Sequence, residues 1–90
     1  VKVSDINLFE LNEAFASQAS YCVNHLKLSK DIVNVNGGAI ALGHPLGATG
    51  ARCMATLLHE MHSRDASCKL GVVSMCIGSG MGAAAVVERE

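Results

Sequence analysis

No charged side chain occurs between Leu70 and Val87, and few folds accept such a stretch. By length alone it matches a membrane span of about 18 residues. Gly71, Gly78, Gly80 and Gly82 dilute it, however, Gly78-Ser79-Gly80 is poor helix material, and no basic flank sets an orientation. A strand, a glycine turn and a second strand fit better: Leu70–Ile77, then Gly82–Val87. Neither run alternates apolar with polar, which implies a sheet covered on both faces.

The rest of the chain has little to cover it with. Ninety residues make at most one domain, and one that buries only about 60–65% of its unfolded surface. Half the residues are apolar but only 3% are aromatic, and nine are glycine, so large core-filling side chains are scarce. This excludes a large self-contained enzyme and leads us to expect a piece of something bigger, with sequence ahead of Val1. Disorder is excluded as well, since mean hydropathy is +0.33 and charged residues are 17%. A net charge of −1 without any basic run argues against a nucleic-acid surface. The four cysteines include no CxxC pair and read as free thiols in a reducing compartment.

Upstream, Ile6–Leu11 reads as a buried strand. Phe15, Ala19, Cys22, Val23 and Leu26 then fall on one helical stripe, ending near Lys27–Lys30 where cations suit the helix dipole. Ile32–Asn36 is short and β-branched. A glycine-rich segment follows from Gly37 to Gly50 and contains Pro45, the only proline. Pro45 suits the first turn of a second helix, for which Met54, Leu57, Leu58 and Met61 supply the buried face and Glu60 with Arg64 an i, i+4 pair. The expected order is strand, helix, loop, helix, strand, strand: an α/β arrangement.

Several motifs carry chemistry, each with a plainer alternative. Gly78-Ser79-Gly80-Met81-Gly82-Ala83 fits the start of a dinucleotide fingerprint, but no helix and distant acidic residue follow, which favours a tight turn. Cys22-x-x-His25 and His59-x-x-His62 could bring four ligands to zinc, against polar histidines near helix ends; we expect no metal. Cys76 stands at a strand end before a glycine turn, either as an exposed reactive thiol or as a small buried hydrophobe. His44, between Gly43 and Pro45, is a candidate base or donor, or a residue beside a helix start. Asn12 opens the first helix, as an N-cap or as an active amide. Together Asn12, His44 and Cys76 form a thiol, imidazole and amide set suited to acyl transfer.

Three blocks go further: Asn12-Glu13-Ala14-Phe15, Asn34–Arg52 (NVNGGAIALGHPLGATGAR) and Cys76–Val86 (CIGSGMGAAAV). In order and spacing they resemble the signature blocks of the C-terminal domain of thiolases, most closely the peroxisomal-type 3-ketoacyl-CoA thiolases. The resemblance covers nearly the whole chain. It implies a thiolase-like layered fold of which residues 1–90 are a C-terminal portion, and cleavage of 3-ketoacyl-CoA by coenzyme A or the reverse Claisen condensation. Coenzyme A would be a co-substrate, with no bound cofactor. Cys76 would be the acid/base, and His44 would activate the nucleophilic cysteine and donate to the thioester oxygen. Asn12 would hold a water that is a second donor, and the Gly78 N–H would serve a second oxyanion site.

The family's nucleophilic cysteine lies in an N-terminal domain whose motif matches nothing here, and Cys22, Cys53 and Cys68 lack its glycine-rich setting. The resemblance therefore implies half an active site that needs an N-terminal thiolase domain, in a family whose members dimerise or tetramerise. It implies a peroxisomal location, otherwise mitochondrial or cytoplasmic; Glu88-Arg89-Glu90 is not a peroxisomal S-K-L signal. Two other readings are a truncated isoform that docks on full-length thiolase, and a stand-alone thiol hydrolase using Cys76 and His44.

Overall fold

A computed structural model describes Val1 to Glu90, and in it the uncharged stretch is a hairpin. Strand β1 is Leu8–Leu11, β2 is Leu70–Gly78 and β3 is Met81–Glu88, in the order β1-β2-β3. β1 runs parallel to β2, with Leu8 beside Gly71, and β2 runs antiparallel to β3, with Val73 beside Ala85. Ser79 and Gly80 form the turn with φ of 53° and 74°. Two positive φ values give a turn whose twist matches that of the flanking strands, and glycine takes one of them without steric cost. The dinucleotide alternative is thereby replaced by a two-residue hairpin turn. No helix is long and apolar enough to cross a membrane.

Parallel strands need a long crossover, and everything between β1 and β2 supplies it. Helix α1 is Ala16–His25, α2 is the single turn Ala39–Leu42, and α3 is Thr49–Ser63. Helix α2 was not expected within the glycine-rich segment. It fits there because Gly38 lies at its start and Gly43, at φ 108°, ends it in a backbone conformation open to glycine. Pro45 precedes a 3₁₀ turn over Leu46–Ala48 rather than sitting inside α3. Ile32–Asn36 contributes one parallel bridge, Phe9 to Val33, and no strand.

The core lies between α3 and one face of the sheet: Leu8, Cys53, Leu57, Met61, Cys68 and Val73. The buried face of α3 differs from the expected one. Leu58 is 46% exposed, and Thr49 and Cys53 take places on the stripe with Leu57 and Met61. A hydropathy pattern undervalues threonine, yet Thr49 is buried because its hydroxyl has a partner in His44. The Glu60–Arg64 pair forms as expected at 2.7 Å, and Arg89 closes the C-terminal end of α3 by donating to the carbonyls of Met61 and Arg64 at 2.8 and 2.9 Å.

Helix α1 keeps its apolar stripe but buries no residue, and Phe15 is 70% exposed. β3 is exposed along almost its whole length. The sheet is therefore covered on one side by α3, while its outer strand stays open.

Two consequences can be measured. At Gly71 a methyl group would stand 2.8 Å from Leu57 Cδ1 and Met61 Sδ, whereas at Gly47 it would meet nothing. Gly71→Ala should lower stability by about 1–3 kcal/mol through overpacking and Gly47→Ala by far less, read from denaturant midpoints. The second concerns Glu10, which is 2% exposed and pairs with Arg52 at 3.3 Å. Burial raises its pKa from 4.5, only partly offset by the Arg52 charge. The folded state then holds this proton more tightly than the unfolded chain, so its contribution to stability falls as pH rises above about 4.3 towards the raised folded value. Glu60 and Asp65 are shifted downward, mainly by side-chain hydrogen bonds from Asn36 and Ser67, and act in the opposite sense at lower pH. The stability of wild type minus that of Glu10→Gln should therefore decline as pH rises above about 4.3; a difference independent of pH would show that Glu10 is not the titrating group.

Candidate active site

The site is assembled where β1 ends. Asn34 makes this edge rigid: its side chain accepts from Leu11 N–H at 2.9 Å and donates to Leu11 C=O at 2.8 Å, as a neighbouring strand would. The backbone N–H of Asn34 also donates to Phe9 C=O at 2.8 Å. Its φ of 47° lies in the left-handed region, which asparagine enters more readily than most residues.

One residue further on, Asn12 donates its backbone N–H to Ser74 C=O at 2.9 Å and is 4% exposed. It is not a helix cap. Phe15, extended at φ −139°, occupies that position, and α1 begins at Ala16. The Asn12 side chain is free for other work: Nδ2 lies 3.5 Å from His44 Nε2, and Oδ1 is buried without a partner. Glu13 faces the other way and accepts from Ile40 N–H at 3.2 Å, anchoring α2. Its carboxylate lies against Gly38, where a Cβ would collide with it.

His44 follows Gly43 and is carried back over the start of α3, because the N–H groups of Ala48 and Thr49 both donate to Pro45 C=O. Its Nδ1 stands 2.6 Å from Thr49 Oγ1, and Thr49 is 1% exposed. Arg52, one turn along α3, meets Glu10 on β1 and ties the helix to the strand beneath Asn12.

Cys76 is half-buried on β2 opposite Gly82. It lines a cleft of about 260 Å³ together with Asn12, Cys22 and Gly82. Past it the register shifts between Cys76 and Gly78, leaving Ile77 as an extra, exposed residue. Such a bulge re-aims the strand end. Gly78, at φ 105°, has nothing within 4 Å of where a Cβ would be, so its backbone borders open space.

Asn12 is thus the common member: it touches His44 and shares a cleft with Cys76. Gly78 lies two residues beyond Cys76 at the hairpin tip. Thr49, Glu10, Arg52 and Asn34 were not singled out from sequence. Asn34, Thr49 and Arg52 lie within the second of the three sequence blocks, and the signal for Glu10 is a carboxylate in an apolar strand, INLFEL. No group of three or more His, Cys, Asp or Glu side chains is placed to hold a metal ion. A larger cavity of about 640 Å³ lies between α1 and the Asn34–Ala41 segment and does not reach His44 or Cys76.

The family profile described as the thiolase C-terminal domain matches residues 1–89, and the chain belongs to the thiolase family. The peroxisomal 3-ketoacyl-CoA thiolase 1 of Arabidopsis thaliana is 70% identical over 89 residues, which make up 99% of this chain and 20% of that protein. Peroxisomal 3-ketoacyl-CoA thiolase of Saccharomyces cerevisiae, described as five α-β-α-β-α layers built from two core domains of identical topology, superposes with a TM-score of 0.89 at 56% identity, over 100% of this chain and 25% of that one. A second structure, of the dimeric yeast peroxisomal thiolase, gives 0.90 at 57% identity over 100% and 22%. The chain spans about a fifth of the length of the curated relatives it matches. The α/β layered fold expected from the sequence is the one observed.

Burial sorts the four cysteines. Cys53 and Cys68 are buried, and burial raises the Cys53 thiol pKa, whereas Cys22 and Cys76 are partly accessible. A small thiol reagent should modify Cys22 and Cys76 in the folded chain, and Cys53 and Cys68 only after denaturant is added, as mass spectrometry of labelled peptides would read.

Proposed function

We propose that this chain is the acid/base portion of a peroxisomal-type 3-ketoacyl-CoA thiolase acting in fatty-acid β-oxidation. It would work in the peroxisome together with a nucleophile-bearing domain. The observation that carries the reading is the arrangement around Asn12: an amide against an imidazole on one side, and a cleft shared with a half-buried thiol on the other.

In this reading the nucleophilic cysteine of the other domain gives its proton to His44 Nε2 and attacks the 3-keto carbon. The bond between C2 and C3 breaks, and its electron pair leaves as the enolate of acetyl-CoA. The Cys76 thiol protonates that enolate, and the resulting thiolate takes the proton from incoming coenzyme A, whose sulfur attacks the acyl-enzyme; the nucleophilic cysteine leaves as thiolate and recovers its proton from His44. Each proton gained is returned, so Cys76 ends the cycle unchanged. An enolate oxygen needs donors already in place. Protonated His44 supplies one. A water held by Asn12 supplies the other, and the unpartnered, buried Oδ1 supports this role, because a water donating to Oδ1 keeps its second hydrogen for the substrate. The Gly78 N–H would face the oxygen of the acyl-enzyme, and its open surroundings favour a close approach.

A second reading, a non-catalytic module docking on full-length thiolase, draws support from the exposed β3 strand. Activity separates the two. The purified 90-residue chain should show no coenzyme A-dependent cleavage of acetoacetyl-CoA, and a polypeptide joining it to a nucleophile domain should cleave it. In the joined form Cys76→Ala and His44→Ala should each lower kcat by at least about 100-fold. Turnover untouched by either substitution would reject the assignment.

A further inference from the structure

The geometry points to Thr49 as the positioning residue that holds the proton of His44 on Nδ1, leaving the Nε2 lone pair facing the site. This rests on the functional reading above and adds to it a residue that touches neither substrate nor the reacting atoms.

The placement follows from counting hydrogens. A neutral imidazole has one N–H, and the other ring nitrogen accepts. On one side of His44, Nε2 faces Asn12 Nδ2, which can only donate. On the other, Nδ1 is 2.6 Å from Thr49 Oγ1, which can donate or accept. With Nε2 opposite a donor, the ring proton belongs on Nδ1 and the threonine oxygen accepts it.

The opposite arrangement would place the ring proton on Nε2. Asn12 would have to turn its amide so that Oδ1 faced Nε2–H, and the Thr49 hydroxyl would have to rotate to donate to Nδ1.

Burial gives the contact its force. Thr49 is 1% exposed at the first turn of α3, and the ring lies over it because Pro45 C=O receives two backbone donors. Solvent therefore cannot replace the hydroxyl without reorganising the helix start. The chemistry also needs this tautomer, since only an unprotonated Nε2 can accept the thiol proton. Once protonated, the ring still donates Nδ1–H to Thr49 and presents Nε2–H as a donor to the substrate oxygen. One fixed contact thus serves both steps, and the threonine does not have to turn between them.

The test uses the full-length thiolase polypeptide that contains these residues, labelled with ¹⁵N-histidine. In wild type at a pH where the ring is neutral, His44 should show a protonated Nδ1 and an unprotonated Nε2. Thr49→Val keeps the shape but removes the acceptor, and should move population towards the Nε2–H form. It should lower kcat for thiolysis about 10–100-fold with KM changed less than about twofold. Thr49→Ser keeps the oxygen and should stay within about threefold of wild type. A wild-type ring protonated on Nε2 overturns the assignment even if Thr49→Val fails to fold. Equal losses in Thr49→Val and Thr49→Ser overturn it as well, because a purely structural role would not separate them. The tautomer measurement needs no turnover, so failure of the thiolase reading itself, seen as activity indifferent to Cys76→Ala, is distinguishable from failure of this one.

Discussion

Only three polar or charged residues are buried in this molecule, Glu10, Asn12 and Thr49, and all three gather where β1 ends against the first turns of α3. Burying such groups costs about 1–3 kcal/mol each unless they are paired, and more for a charge. The surrounding structure is arranged to pair them. Arg52 meets Glu10, and His44 stands between Asn12 and Thr49 with one ring nitrogen towards each. Crossover, glycine loop and helix start are each constrained by these contacts.

The apolar core is small by comparison. Its six residues lie in one layer between α3 and the sheet, and Gly71 is there because α3 comes too close for a side chain. Close approach lets a few medium-sized residues fill the space that aromatic side chains fill elsewhere. It also leaves the outer strand largely exposed and α1 without a fully buried residue. A layer covered on one side suits the five-layered arrangement described for the yeast relative, in which sheets lie between helical layers.

Backbone devices place Asn12, His44 and Cys76 more than packing does. Asn34 imitates a strand to fix Leu11, the residue before Asn12. Gly43 and Pro45 turn the chain so that His44 reaches α3. The irregularity at Ile77 separates Cys76 from Gly78 and directs the hairpin tip away from regular pairing. Each device lies at an element end, where the regular ladders stop and side chains can be aimed.

The sequence by itself determined the strand, helix, helix and hairpin order, because period and glycine punctuation are local properties. The sequence also marked Asn12, His44 and Cys76, an amide, an imidazole and a thiol beside glycines, and the fold places Asn12 against His44 and in one cleft with Cys76. The register of burial on α3 was not legible: Thr49 is inside and Leu58 outside because a hydroxyl found a histidine, and pairing of that kind is invisible to hydropathy. The sequence likewise left Asn12 open as a helix cap, and the fold gives that position to Phe15. Contacts such as Glu10 to Arg52 and Asn34 to Leu11 join residues far apart in the chain. Only the tertiary fold brings such partners together, and so only it decided which polar residues would be buried and paired.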